Sequence, residues 1–303
     1  MKLNALLKTL GFLALAATPV VAGTAPAPKN PIAPCPNDDL GINASLGYDT
    51  NYVWRGFNFG QHWLSAGLDG SLLLLGGAGE DGAGTTSLNW DVKYGFLAGD
   101  QDHFVRGANP NADASFQRLE LGAAFVHDFG AFSGSLGYRY YRNMGRLTQN
   151  NVGRMNDGQE VNLGITTALG PIDISSSANW DWVNGSLYFD LGASTTIAVT
   201  DAISVVPFAT VGYGHNMNWQ FAQDGANRAG GVTAGWNNHD VSNFTAVTAG
   251  LRFPIKLNSR ATLIPYIAIN APMSGIQNLP VNGAPDNYAT SVVYGGVSLN
   301  VRF

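Results

Sequence analysis

Residues Val293 to Phe303 read V-Y-G-G-V-S-L-N-V-R-F. Val293, Val297, Leu299, Val301 and Phe303 share one parity, and Tyr294, Gly296, Ser298, Asn300 and Arg302 share the other. Successive side chains of a strand point to opposite faces, so this segment has one apolar and one polar face. The pattern recurs about a dozen times upstream, each time near the roughly 9–11 residues that carry a tilted strand across a bilayer. Such repetition is the signature of an all-β chain folded as a transmembrane antiparallel β-barrel of the outer-membrane type.

The first strand places Ile42, Ala44, Leu46, Tyr48, Tyr52 and Trp54 on one parity and Asn43, Ser45, Asp49, Asn51 and Arg55 on the other. The same division runs through 63–75, 87–97, 116–127, 132–142, 159–169, 172–182, 186–198, 203–213, 241–253 and 261–270. With the C-terminal segment these make twelve strands. Two are irregular. Asn243 and Phe244 contradict the parity set by Val247, Leu251 and Phe253, which asks for a bulge. Pro265 cannot donate to a ladder and asks for a local interruption.

Connection lengths orient the barrel. Short turns are expected at 128–131, 170–171, 199–202 and 254–260, and long polar segments at 98–115, 143–158, 214–240 and 272–289. Bacterial outer-membrane barrels have short periplasmic turns and longer outer loops, so the long segments are expected outside and both termini periplasmic. The connections 76–86 and 183–185 break this rule. Tyr52, Trp54, Tyr94, Phe96, Tyr138, Tyr140, Trp180, Trp182 and Tyr213 fall near the loop ends of their strands, on the parity expected to face lipid. They are expected to form an aromatic ring at one membrane interface, with Phe125, Phe132, Phe253 and Phe303 at the other.

The N-terminus has Lys2 and Lys8 beside an apolar stretch and a small residue at Ala22, the pattern of a signal peptide over 1–22. Residues 23–40 are Pro- and Ala-rich and read as a periplasmic lead-in to a barrel over 41–303. Charged residues make up 12%, half of what soluble domains usually carry, as expected of strands with a lipid-facing side. Removing Lys2 and Lys8 with the signal takes the formal charge from −5 to −7, and no basic tract remains, so nucleic acid is not an expected partner. Cys35 is the only cysteine, which excludes an intrachain disulfide. No cofactor or metal is implied.

The segment Ser45 to Gly60, S-L-G-Y-D-T-N-Y-V-W-R-G-F-N-F-G, resembles the first strand of the TorF family of porins in Tyr48, Tyr52, Val53, Trp54, Arg55 and Gly56. The resemblance covers this strand alone. It implies a porin-like outer-membrane protein and no particular solute. It also implies that Phe303 looks like the signal read by the barrel-assembly machinery.

The inward parity collects Asp49, Asp69, Asp91, Glu120, Glu160, Asp173, Asp181 and Asp190, with Arg55, Lys93, Arg118, Arg139, Arg252 and Arg302. Ionisable groups are tolerated there when the interior is wet or when they pair with one another. The expectation is a lumen-lining set forming a weakly cation-preferring pore for small hydrophilic solutes, with Arg55 paired to an acid such as Asp181. Twelve strands lie between barrels filled by side chains and open channels, so a plugged, structural or adhesive barrel is the alternative. A lipid hydrolase is a third reading, with His215, Ser242 and His239 as candidates, but no G-x-S-x-G motif exposes a nucleophile. Outer-membrane lipids and lipopolysaccharide are the expected surroundings.

Overall fold

The computed structural model describes residues 40–76, 84–98, 116–144, 157–183, 185–217, 242–277 and 290–303. The strands are β1 (Ile42–Trp54), β2 (Phe57–Leu75), β3 (Thr86–Leu97), β4 (Gln117–Asp128), β5 (Phe132–Met144), β6 (Gly158–Leu169) and β7 (Ile172–Asp181). They continue as β8 (Ser186–Thr195), β9 (Ile197–Ala198), β10 (Ser204–His215), β11 (Asn243–Arg252), β12 (Ile255–Lys256), β13 (Ala261–Pro272) and β14 (Val292–Arg302). Only β9 and β12 are two-residue pieces, which leaves twelve long strands. Each long strand pairs antiparallel with its neighbours in sequence, and β1 pairs with β14, closing the barrel. The closure is pinned at the chain end, where Phe303 N–H donates to Ile42 O and Leu40 N–H to Phe303 O.

The two faces are inverted relative to a water-soluble protein. Leu68, Leu121, Leu163, Ile165, Leu191 and Ile267 are exposed, while Arg139, Glu160, Asn179, Asp181 and Asn270 are buried. A sheet closed on itself has no edge, so its outer face can stay apolar only if its surroundings are apolar too.

Both expected irregularities are present. The β10–β11 register shifts between Gly212 and Tyr213, leaving Thr245 as the extra residue and returning Phe244 to the exposed face beside Tyr213. Phe253 and Pro254 interrupt the ladder between β11 and β12, and Pro265 lies opposite this gap. Its carbonyl accepts from Phe253 N–H at 2.9 Å. Residues 1–39, most of 76–86 and most of the four long loops, with the expectations placed on them, lie outside the described residues. Of the last long segment, Ser274–Gln277 form one helical turn, α1.

The expected ring of interface aromatics fails in part. The first connection at the loop end is a two-residue hairpin turn, Arg55-Gly56, joining Trp54 to Phe57. Both turn residues have positive φ (52 and 89), as a type I′ hairpin requires. The β1–β2 register shifts between Tyr52 and Val53, and Gly60 and His62 also take positive φ (143 and 59). These irregularities turn the end of the hairpin inward. Tyr52 and Trp54, expected at the membrane interface, are 2% and 1% exposed and lie inside the barrel.

Candidate functional site

The inward hairpin occupies the barrel's cross-section at the loop end. Its residues touch the inner faces of strands all round the wall. Tyr52 stacks on Trp63 with ring centroids 4.0 Å apart, and Phe59 stacks on Phe116 at 5.9 Å. Two guanidinium groups lie over the Trp54 ring, Arg55 at 4.5 Å and Arg118 of β4 at 4.2 Å, and Tyr141 of β5 meets it edge-on. Val53 packs against Ala268 of β13 and Tyr294 of β14. At the tip, a Cβ added to Gly56 would sit 2.7 Å from Ala246 of β11 and 2.8 Å from Ile276 of α1. Gly56 is therefore required for both its conformation and its seat.

Polar contacts fix the tip. Arg55 forms a two-pronged ion pair with Glu160 of β6, Nη1–Oε1 at 2.7 Å and Nη2–Oε2 at 2.9 Å, and lies over Tyr188 of β8. This corrects the expected Arg55–Asp181 pairing. Asp181 instead accepts from the backbone amides of Gln159 and Val183. Glu160 is reached because the tip crosses the lumen, and its 0% exposure makes the pair wholly buried. Asn270 Nδ2 donates to Gly56 O at 2.9 Å, and Tyr141 donates to Glu160 at 3.1 Å. Arg118 donates to Tyr52 Oη and Asn143 Oδ1, both at 2.8 Å.

The wall carries its own pairs. Arg139 of β5 joins Asp91 of β3 at 2.8 Å and Glu120 of β4 at 3.1 Å. Across β6, β7 and β8, Asn162 donates to Asn179, Asn179 to Ser177, and Ser177 to Asp190. Asp49 accepts from Tyr266 at 2.6 Å. Toward the turn end the lining changes. Asn43, Ser45, Asp69, Asn89, Lys93, Asp173, Ser175, Ser298, Asn300 and Arg302 share the inward parity and are only partly buried. Apart from Arg55, which the hairpin carries, the lumen-lining residues named from the sequence lie on their strands opposite the exposed apolar parity.

Of the aromatics named from the sequence, Tyr94, Phe96, Tyr138, Trp180 and Trp182 are exposed outside, and Tyr140 and Tyr213 are half-buried on the same face. The hydroxyls of Tyr94, Tyr138 and Tyr140 donate to Gln117, Gln159 and Asp157 at the loop ends of neighbouring strands. The inward aromatics were missed. Phe57, Phe59 and Trp63 share their parity with Ser65 and Asp69, and this was the available signal. On the loop-end rim, Ser242 Oγ lies 3.2 Å from His215 Nδ1 and accepts from Asn216 N–H at 3.1 Å. Both side chains are exposed, and no acid in the described residues orients the imidazole. His239 lies outside the described residues.

No protein-family model matches the chain, and no curated protein matches it. Among solved structures, it is similar to the KdgM porin, at 8% identity over 86% of this chain and 99% of that one, with a TM-score of 0.44. LpxR from Salmonella typhimurium matches at 7% identity over 86% and 100% of the two chains, TM-score 0.47. The COG4313 outer membrane channel from Pseudomonas putida F1 matches at 11% identity over 86% and 95%, TM-score 0.41. Likenesses this distant leave function to be read from the lumen itself.

Proposed function

We propose that the chain is an outer-membrane, porin-like channel for small hydrophilic solutes, held shut by the β1–β2 hairpin in the conformation described. The observation that carries this is the nature of the closure. The loop end is blocked by a hairpin tip, while the turn half of the lumen is lined by polar side chains that remain partly exposed. Below the Tyr52/Val53 shift, β1 and β2 stay paired with each other, with β14 and with β3. The tip can therefore swing out without opening the barrel. The Tyr48–Gly56 motif supports a place beside the TorF porins. The exposed apolar belt suits outer-membrane lipids, including lipopolysaccharide, and Phe303 suits the assembly machinery.

Eight inward acids against six bases leave the lumen weakly negative, so a mild cation preference is expected. Planar-bilayer recordings of the refolded protein test both parts. The wild type should open rarely, and Glu160→Gln, which weakens the hold on Arg55, should open often, with reversal potentials showing slight cation selectivity. Anion selectivity would sink the charge argument. Silence from both proteins would favour a closed, structural barrel, a reading that the deep burial of the hairpin supports.

A further inference from the structure

The buried arginines of the lumen are not equally provided for. Arg55 holds Glu160, and Arg139 holds Asp91 and Glu120. Arg252, the last residue of β11, is 7% exposed, forms no ion pair among the described residues, and has a buried Nε without a hydrogen-bond partner. Its guanidinium lies 4.2 Å over the Phe208 ring of β10. Tyr266, its register partner on β13, stands beside it, and Tyr294 of β14 meets Tyr266 edge-on at 5.9 Å. Phe208 and Tyr266 thus flank a cation whose buried Nε has no acceptor, with Tyr294 packed behind Tyr266. Burying a charge without a partner is costly, and a guanidinium is a planar fork that matches a carboxylate with two parallel hydrogen bonds.

We propose that Arg252, with Phe208, Tyr266 and Tyr294, forms a lumen site for a small organic carboxylate. The guanidinium takes the carboxylate, and the rings offer the apolar surface that an organic anion has and an inorganic one lacks. Tyr266 is held in place by Asp49, two strands away on β1, and Gly296 of β14 between them makes room. A Cβ there would lie 2.6 Å from the Tyr266 ring and 2.5 Å from the Asp49 carboxylate. The site goes beyond the channel reading, because it is one local cation in a lumen whose overall charge favours cations, and it rests on that reading only in requiring a lumen open to solutes.

The test is calorimetric titration of the full refolded chain in detergent micelles with sodium benzoate, and separately with inorganic phosphate. Wild type should bind benzoate in preference to phosphate. Arg252→Met should weaken benzoate binding at least about tenfold, since hydrogen bonds to charged groups are among the stronger ones. Lys93→Ala, which removes a partly exposed lumen cation elsewhere, should leave benzoate binding unchanged. Arg252→Met should also fold as well as wild type, because it removes an uncompensated charge. Arg139→Met, by contrast, strips two acids of their partner and should be destabilised. Equal benzoate affinity in wild type and Arg252→Met, preference for phosphate, or strong destabilisation by Arg252→Met would each overturn the site. Benzoate binding by a protein that never conducts would keep the site and reject the channel. Conductance without benzoate binding would do the reverse.

Discussion

Two hairpin ends at the loop side of the barrel begin with nearly the same alternation and finish on opposite sides of the wall. Asn51-Tyr52-Val53-Trp54 leads into the β1–β2 turn, and Asn179-Trp180-Asp181-Trp182 leads into the β7–β8 turn. Tyr52 and Trp54 are buried within the lumen, whereas Trp180 and Trp182 are 54% and 41% exposed outside. The difference lies in the backbone and in what fills the other parity. The β6–β7 and β7–β8 ladders run without a register shift, and Asp181 is held at the wall by two backbone amides. In the first hairpin a shift at Tyr52/Val53 and positive φ at Gly60 and His62 turn the tip inward. Alternation therefore identifies two faces, but it does not say that the wall stays flat to the end of each strand.

The comparison is tested most strongly at the two tryptophans. Trp54→Ala removes a fully buried ring and should cost about 3–5 kcal/mol of hairpin seating. Trp182→Ala removes a ring that is largely outside and should cost about 1 kcal/mol or less. Seating can be read by native-state trypsin cleavage after Arg55, which is accessible only when the tip is out, because such cleavage follows the population of the open form. If Trp182→Ala exposed Arg55 as readily as Trp54→Ala, the inward placement of the first pair would be wrong.

A smaller contrast concerns the turn glycines. Gly56 and Gly185 both have positive φ, 89 and 70, so alanine is strained at each. Only Gly56 faces a tight seat. An added Cβ there meets Ala246 and Ile276 within 2.8 Å, against 3.5 Å to Asn216 Nδ2 at Gly185. Gly56→Ala should cost about 2–3 kcal/mol and increase cleavage at Arg55, and Gly185→Ala about 1 kcal/mol with no change in cleavage. Equal effects on cleavage would mean that the Gly56 seat is not what holds the tip.

Strand number, order, parity and both irregularities were legible because each is a local property of alternation or of proline. The charged lumen was legible for the same reason. The inverted hairpin was not, because its cause lies in backbone φ values at His62 and Gly60 and in one slip of register. The Arg55–Glu160 pair was missed as a consequence. Arg55 was expected to reach across the lumen to an acid such as Asp181, and the inward tip brings it instead to Glu160, the register partner of Asp181 on β6. The aromatic parity of Phe57, Phe59 and Trp63 did carry the information, since three large rings among polar inward neighbours need something to pack against.

The smallest effect is at Tyr52, where the substitution removes a single hydroxyl. Tyr52 Oη accepts from Arg118 Nη1, and Tyr52→Phe removes that acceptor while keeping the ring on Trp63. Arg118 still donates to Asn143 and still lies over Trp54, so its charge is not stranded. The loss should be about 1 kcal/mol, the low end for a buried donor that loses its acceptor. Cleavage at Arg55 should then rise about fivefold at fixed trypsin, since each 1.4 kcal/mol is tenfold in an equilibrium. Trp180→Phe, on the outer face, should leave cleavage unchanged. A Tyr52→Phe protein as resistant as wild type would show that ring stacking alone seats this end of the hairpin, with Arg118 serving Trp54 and Asn143 rather than the tyrosine.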